Sequence, residues 1–277
     1  MRGHGGRLAF FGFFGVENYG NQASLACAIV LARAQQPGLD LACVCVNPDL
    51  VASEHGVEGV SLYHPGVPER LVPNSRLGRV ALLPVLEVLR WVGAFRYARR
   101  FSAVVVPGTG LLDDFGLRPY PLPWTLLRWT IVCRLARTPI ILLSIGAGPI
   151  ERSANRRLML PLARHATLRT YRDEVSADYM AEHAAPGRVT PDIVFGRRHE
   201  AAPRGDRPRP VVGLGVMAYY GWANDDVTGI GVFDAHVAKA AELATRLVTN
   251  GDDVVLLTGE SSDDRAVAAV LGRATAG

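Results

Sequence analysis

Apolar positions along the chain fall in short continuous runs separated by longer stretches with helical spacing, and this alternation predicts an α/β protein built on parallel strands. Runs at 8–14 (LAFFGFF), 40–47 (DLACVCVN), 103–106 (AVVV), 139–145 (PIILLSI) and 166–171 (ATLRTY) predict strands. The strongest of them are not interleaved with polar residues, as expected where both faces of a strand are covered. Between them, residues 22–35, 79–100, 124–136, 152–165 and 174–182 predict helices, with Pro84 near the start of the second or kinking it. Residues 48–78, rich in Pro, Gly, Ser and His, read as a long loop, and 189–195 closes a first half. The proline- and arginine-rich segment 197–210 reads as a linker. A second half restarts with a strand at 210–217, a helix at 233–250, a strand at 253–258 and a helix at 263–273. A sheet usually has ~5 strands. The expectation is therefore an N-terminal domain over 1–196 and the start of a second, truncated domain over 211–277.

The strand ends carry the chemistry. Glycines soften the turns after the first, third and fourth main strands: Gly15 and Gly20, then Gly108 and Gly110, then Gly146 and Gly148. In an open parallel sheet those carboxyl ends are where ligands sit. Asn21 reads as the cap of the first helix, and the N–H groups of 12–21 form either an anion seat or simply a tight turn. Asp113 and Asp114 either meet hydroxyl groups and act as a base or cap the next segment. Arg172 follows an apolar strand; it is a fixed cation for a ligand or the partner of Asp173 or Asp192 in an ion pair. Asp173 and Ser176 read first as a helix cap. His165 and, in the long loop, His64 are candidate general acids of near-neutral pKa.

Composition narrows the classes. With 277 residues, 49% hydrophobic and 20% charged, the chain can bury a large core. The net charge is +4, and Lys239 is the single lysine. The arginines reflect codon usage or a surface suited to phosphates and carboxylates. No dense basic run is interleaved with aromatics, which argues against nucleic acid. Cys27, Cys43, Cys45 and Cys133 lack paired metal spacing and read as buried free thiols of a reducing cytoplasm. No His/Asp/Glu cluster has metal-ligand spacing, so no metal and no cofactor is expected. No run is long enough to span a bilayer, and the expected location is cytoplasmic. Residues 80–95 are apolar enough to touch a membrane surface, but the expectation is an amphipathic core helix. A dinucleotide oxidoreductase is disfavoured: the first turn lacks a compact G-x-G-x-x-G, and Asp40 precedes the second strand instead of ending it.

Taken in order, Gly20-Asn21, Gly108-Thr109-Gly110 with Asp113-Asp114, 144–149 (SIGAGP), Arg172-Asp173-Glu174 with Ser176, and Pro191-Asp192 make the chain resemble the polysaccharide pyruvyl transferase family over about 8–217. The resemblance implies a GT-B-like fold of two Rossmann-like domains. It implies transfer of a pyruvyl ketal group from phosphoenolpyruvate, as donor substrate, to a sugar of an exopolysaccharide, cell-wall or other cell-surface glycan. The acceptor would be a sugar or lipid-linked glycan, with peripheral membrane association through it. On this reading Arg172, Asp114 and His165 are catalytic, and Gly15, Asn18, Gly20, Asn21, Gly108, Thr109, Gly110, Asp113, Gly146, Gly148, Asp173, Ser176 and Asp192 line the substrate site. Two departures stand out. The first turn reads Gly20-Asn21-Gln22-Ala23 where relatives carry an acid. The Arg/His segment expected late in the second domain does not occur, and Met217-Ala218-Tyr219-Tyr220 stands where an arginine is expected. The chain therefore reads as a fragment of a longer enzyme or as an impaired form. The alternatives are a GT-B glycosyltransferase with a nucleotide-sugar donor and a degenerate glycan-binding module.

Overall fold

The computed structural model describes residues 6–68, 76–196, 209–222 and 224–274. The linker expected at 197–210 lies, but for its last two residues, outside them.

Contacts divide the chain into two compact units, Met1–Val16 with Asn21–Arg197, and Glu17–Gly20 with Arg198–Gly277. The first holds strands β1 (Arg7–Phe11), β2 (Leu41–Cys45), β3 (Glu58–Ser61), β4 (Phe101–Pro107), β5 (Ile140–Ile145), β6 (Leu168–Tyr171) and β7 (Arg188–Val189). All pair in parallel in a seven-stranded sheet ordered β3-β2-β1-β4-β5-β6-β7. Helices α1 (Tyr19–Gln35), α2 (Pro48–His55), α3 (Arg76–Ala98), α4 (Leu122–Ala136), α5 (Ser153–His165) and α6 (Glu174–Glu182) make the return connections.

The continuous apolar runs are explained by burial from both sides. Ala9, Phe11, Ala42, Val44, Val104, Val106 and Leu142 pack in one core with Trp129 and Cys133 of α4. Their neighbours Phe10, Cys43, Cys45 and Val105 pack in a second core with Leu25, Cys27 and Ile29 of α1. Successive strand residues thus serve opposite faces, and both faces are dry. All four cysteines are buried, and none forms a disulfide.

The long loop expected at 48–78 is corrected: it begins with α2 and β3. Asn47 accepts a hydrogen bond from Leu50 N (3.2 Å), Pro48 opens the helix, and Gly56 at φ 62° closes it. These are standard start and stop devices. The expected cap at Asn21 is also corrected. Helix α1 starts earlier, at Tyr19, and Asn21 Nδ2 donates back to Phe13 O (3.2 Å). Pro84 lies within α3. On that helix Glu87 pairs with Arg90 and with buried Arg128 of α4, while Trp124 Nε1 also donates to it, so α3 and α4 are pinned by charge.

The second unit has a parallel pair, β8 (Val211–Gly215) and β9 (Asp253–Leu257), with α7 (Ile230–Thr249) and α8 (Asp264–Ala274). Leu214 and Leu256 face the helices' core, around Phe233, Val237 and Val270. Among the described residues, no helix is long and apolar enough to cross a membrane.

Candidate functional site

In a parallel sheet every strand ends on the same edge, so the turns at Gly15, Gly108 and Gly146 share it with Arg172. Sheet order also reverses there: from β1 the chain builds outward to β3, then crosses back to place β4 on the other side of β1. Such a reversal splays the adjoining loops and opens a crevice at the strand ends. The loops after β4, β5 and β6 supply the polar groups at this edge.

Arg172 is held by β6, whose backbone continues the ladder through Arg172 N to Ile145 O (3.0 Å). Its guanidinium lies against Gly146: a Cβ there would come within 2.7 Å of Arg172 Cζ. The side chain is 43% exposed, and its pairs with Asp173 (3.5 Å) and Asp192 (3.8 Å) are long. Exposed pairs of this kind contribute about 0–1 kcal/mol each, so an anionic ligand can displace them.

Asp113 is the other open group. Its Oδ1 accepts from Phe115 N (3.1 Å), and its Oδ2 lies beside Gly110. Burial, reinforced by the neighbouring Asp114 charge, pushes its carboxyl up to about 6, against the opposing pull of the Phe115 amide and Arg172. A carboxyl poised there can take and return a proton near neutral pH. Beside it, the Thr109 hydroxyl is buried and without a hydrogen-bond partner among the described residues. Thr109 O accepts from Gly146 N (3.1 Å), which ties the Gly110 loop to the Arg172 loop.

Several expected site residues have structural work instead. Asp114 is buried and accepts from Glu151 N (3.0 Å), Arg152 N (2.9 Å) and Asn155 Nδ2 (3.2 Å). It caps α5, whose own flanking residue Arg152 makes no side-chain cap. A carboxylate so committed is not a free base, and of the two adjacent aspartates it is Asp113 whose carboxyl is less engaged. His165 is not brought together with these residues. It ends α5, before β6 begins, and so lies at the amino-terminal edge, where its Nε2 meets Arg134 Nη1 (2.8 Å) and its Nδ1 meets Pro161 O. His64 follows β3, with four strands between it and β6 in the sheet, and lies against Arg90. Burial and the adjacent Arg90 and Arg128 charges lower its pKa.

Gly15, at φ 73°, packs on Asn47, with a Cβ only 2.7 Å from Asn47 O. Gly108 is covered by Ile193 and by Ser24, whose Oγ donates to Gly108 O (2.9 Å). The Tyr179 ring covers Gly148. Asp173 caps α6 by accepting from Ser176 N (2.7 Å), and Ser176 Oγ accepts from Ala147 N. Asp192 accepts from Val194 N (3.1 Å) while facing Arg172. Asn18 and Gly20 belong with the second unit, where Asn18 Nδ2 donates to Glu260 Oε2 (3.4 Å). The structure thus gathers Thr109, Gly110, Asp113, Gly146, Arg172 and Asp192 at one edge.

Sequence reasoning missed Ser144. It is buried, at φ 52°, inside the apolar run of β5. Its N–H donates to Thr170 Oγ1 (2.7 Å), and its Oγ reaches Pro191 O (2.9 Å). A left-handed residue that is not glycine costs about 1–2 kcal/mol, which these bonds offset, and it joins β5 to the loop that carries Asp192. Its signal was a polar residue interrupting an apolar strand. Among the described residues, no group of three His, Cys, Asp or Glu side chains could hold a metal ion.

The polysaccharide pyruvyl transferase family model matches residues 18–269. No curated protein matches the chain. Among solved structures, one described as a UDP-N-acetylglucosamine 2-epimerase from Listeria monocytogenes aligns over 98% of this chain at 12% identity and a TM-score of 0.49. The chain spans 65% of that protein's length.

Proposed function

The chain belongs to the polysaccharide pyruvyl transferase family, and from that premise we propose that it transfers a pyruvyl group from phosphoenolpyruvate to a sugar diol of a glycan, forming a ketal. The observation that carries this reading is Asp113, a carboxyl raised to about 6 by burial within the electrostatic reach of Arg172. Ketal formation needs a cation for the donor's anionic groups and a group that moves a proton between a hydroxyl and the vinyl carbon. Arg172 supplies the first. Asp113, ionised at neutral pH yet more basic than an ordinary aspartate, supplies the second.

The addition step then balances. Asp113 takes the proton of the attacking hydroxyl as its oxygen bonds to the donor's central carbon, and the methylene carbon gains one proton to become methyl. The second hydroxyl displaces phosphate from the same carbon, and its proton leaves with the phosphate. No redox partner is required. Thr109 and the Gly110 backbone border the place where the hydroxyls would approach.

A thermal-shift titration tests the donor. Phosphoenolpyruvate is expected to raise the Tm of the wild-type chain and not that of Arg172→Met, while UDP leaves both unchanged. A shift with UDP and none with phosphoenolpyruvate would favour a nucleotide-sugar glycosyltransferase instead.

A further inference from the structure

Helix α3 is apolar on two faces. Its inner face buries Leu86, Ala94 and Ala98 and also carries its charged pair, Glu87 meeting Arg128 and Trp124 while buried Arg90 meets Glu87 and His64. Outward, every exposed position from 82 to 100 is apolar or arginine: Leu82, Leu83, Pro84, Val85, Val88, Leu89 and Val92, then Arg96, Arg99 and Arg100. Val85 is 57% and Val88 63% exposed. At 3.6 residues per turn, positions 85, 88, 89, 92, 96 and 99 fall within a sector about 100° wide. This is one stripe, apolar for most of its length and cationic at its carboxyl end. A groove of about 390 Å³ runs beside it, walled by Leu89, Val92, Gly93 and Tyr97, with Arg96 and Arg100 at its end. Arg100 is partly spoken for by Glu58 (3.5 Å). Arg99 lies over the Phe95 ring with its charge exposed, and Arg96 is exposed.

A helix facing water normally presents polar residues, and contiguous exposed apolar surface marks a contact. We propose that the α3 stripe docks the protein on an anionic lipid bilayer. The apolar row enters the headgroup–acyl boundary, and Arg96 and Arg99 meet the phosphates. Charge decides the occupant. A second copy related by a two-fold axis would cover the valines and leucines, but the stripe contains no carboxylate to meet the arginines of its partner. An anionic membrane satisfies both halves of the stripe. Docking of this kind would bring an enzyme to a lipid-linked acceptor, yet it is independent of the donor, because vesicle binding needs no phosphoenolpyruvate.

Cosedimentation of the whole chain with vesicles tests it. The chain is expected to pellet with vesicles of equal parts phosphatidylglycerol and phosphatidylcholine, and several-fold less with phosphatidylcholine alone. Val88→Glu, which places a charge in the apolar row, and the pair Arg96→Glu with Arg99→Glu are each expected to weaken binding by about tenfold or more, with an unchanged circular-dichroism melt. The proposal is overturned by failure to pellet with either vesicle, by equal binding of the variants and the wild type, or by a wild-type dimer that Val88→Glu dissociates. That last outcome would assign the face to a second copy.

Discussion

The guanidinium of Arg172 occupies the space that a side chain at residue 146 would need, with Cζ only 2.7 Å from where a Cβ on Gly146 would stand. The glycine at the end of β5 and the arginine at the end of β6 are therefore one unit. Gly146→Ala would push aside the far end of a flexible side chain instead of packed backbone, at a stability cost of less than about 1 kcal/mol. It is nevertheless expected to weaken phosphoenolpyruvate binding by about tenfold, because a charged donor contact is worth about 1.5–3 kcal/mol. Paired denaturation and binding curves check the split: a large loss of stability would mean that Arg172 is fixed there by packing.

Asp113 sets the pH dependence. A base that must be ionised gives a rate that rises with pH through about 6 and then levels. Stability runs the other way. The folded-state pKa lies above the unfolded one, so the native state binds the proton more tightly, and stability falls as pH rises from the ordinary aspartate range to about 6. Asp113→Asn is expected to abolish the pH-dependent limb and lower kcat by about 10²–10⁴-fold. The same change should raise stability at pH 7 by about 1–2 kcal/mol, after allowance for screening at a partly exposed carboxyl. A variant that is both less active and less stable would count against this role.

Its neighbour behaves oppositely. Asp114→Ala strands two backbone N–H groups at the start of α5 and leaves the Asn155 amide with Leu117 O alone. The expected loss is about 3 kcal/mol or more, read as a fall in the denaturation midpoint. Asp114→Asn, which keeps an acceptor oxygen, should recover part of it.

His165→Ala is expected to leave kcat and KM within about twofold of wild type, since the residue stands on the opposite edge of the sheet from Arg172. A steady-state comparison suffices, and a large drop in kcat would return the histidine to the site.

The sheet was legible because its strongest strands are largely continuous apolar runs. The helix–strand pair at 48–61 was not, although Asn47, Pro48 and Gly56 are the start and stop residues the structure uses. Loop-like composition hid them. Asp113 and Asp114 are adjacent and alike; only the fold reveals that one is consumed by backbone amides 37 and 38 positions later. The placement of His165 was within reach of the sequence. A residue that ends a helix and precedes a parallel strand must lie at the amino-terminal edge, away from the glycine turns. The core-facing side of α3 was legible from its periodicity, but its second, exposed apolar face was not, because periodicity does not tell which face turns inward.

Calorimetric titration of phosphoenolpyruvate into the wild-type chain and Arg172→Met tests the central claim most directly. Saturable binding to the wild type that is lost in the variant, with the far-ultraviolet spectrum unchanged, is the expected result. Equal binding to both proteins would contradict it.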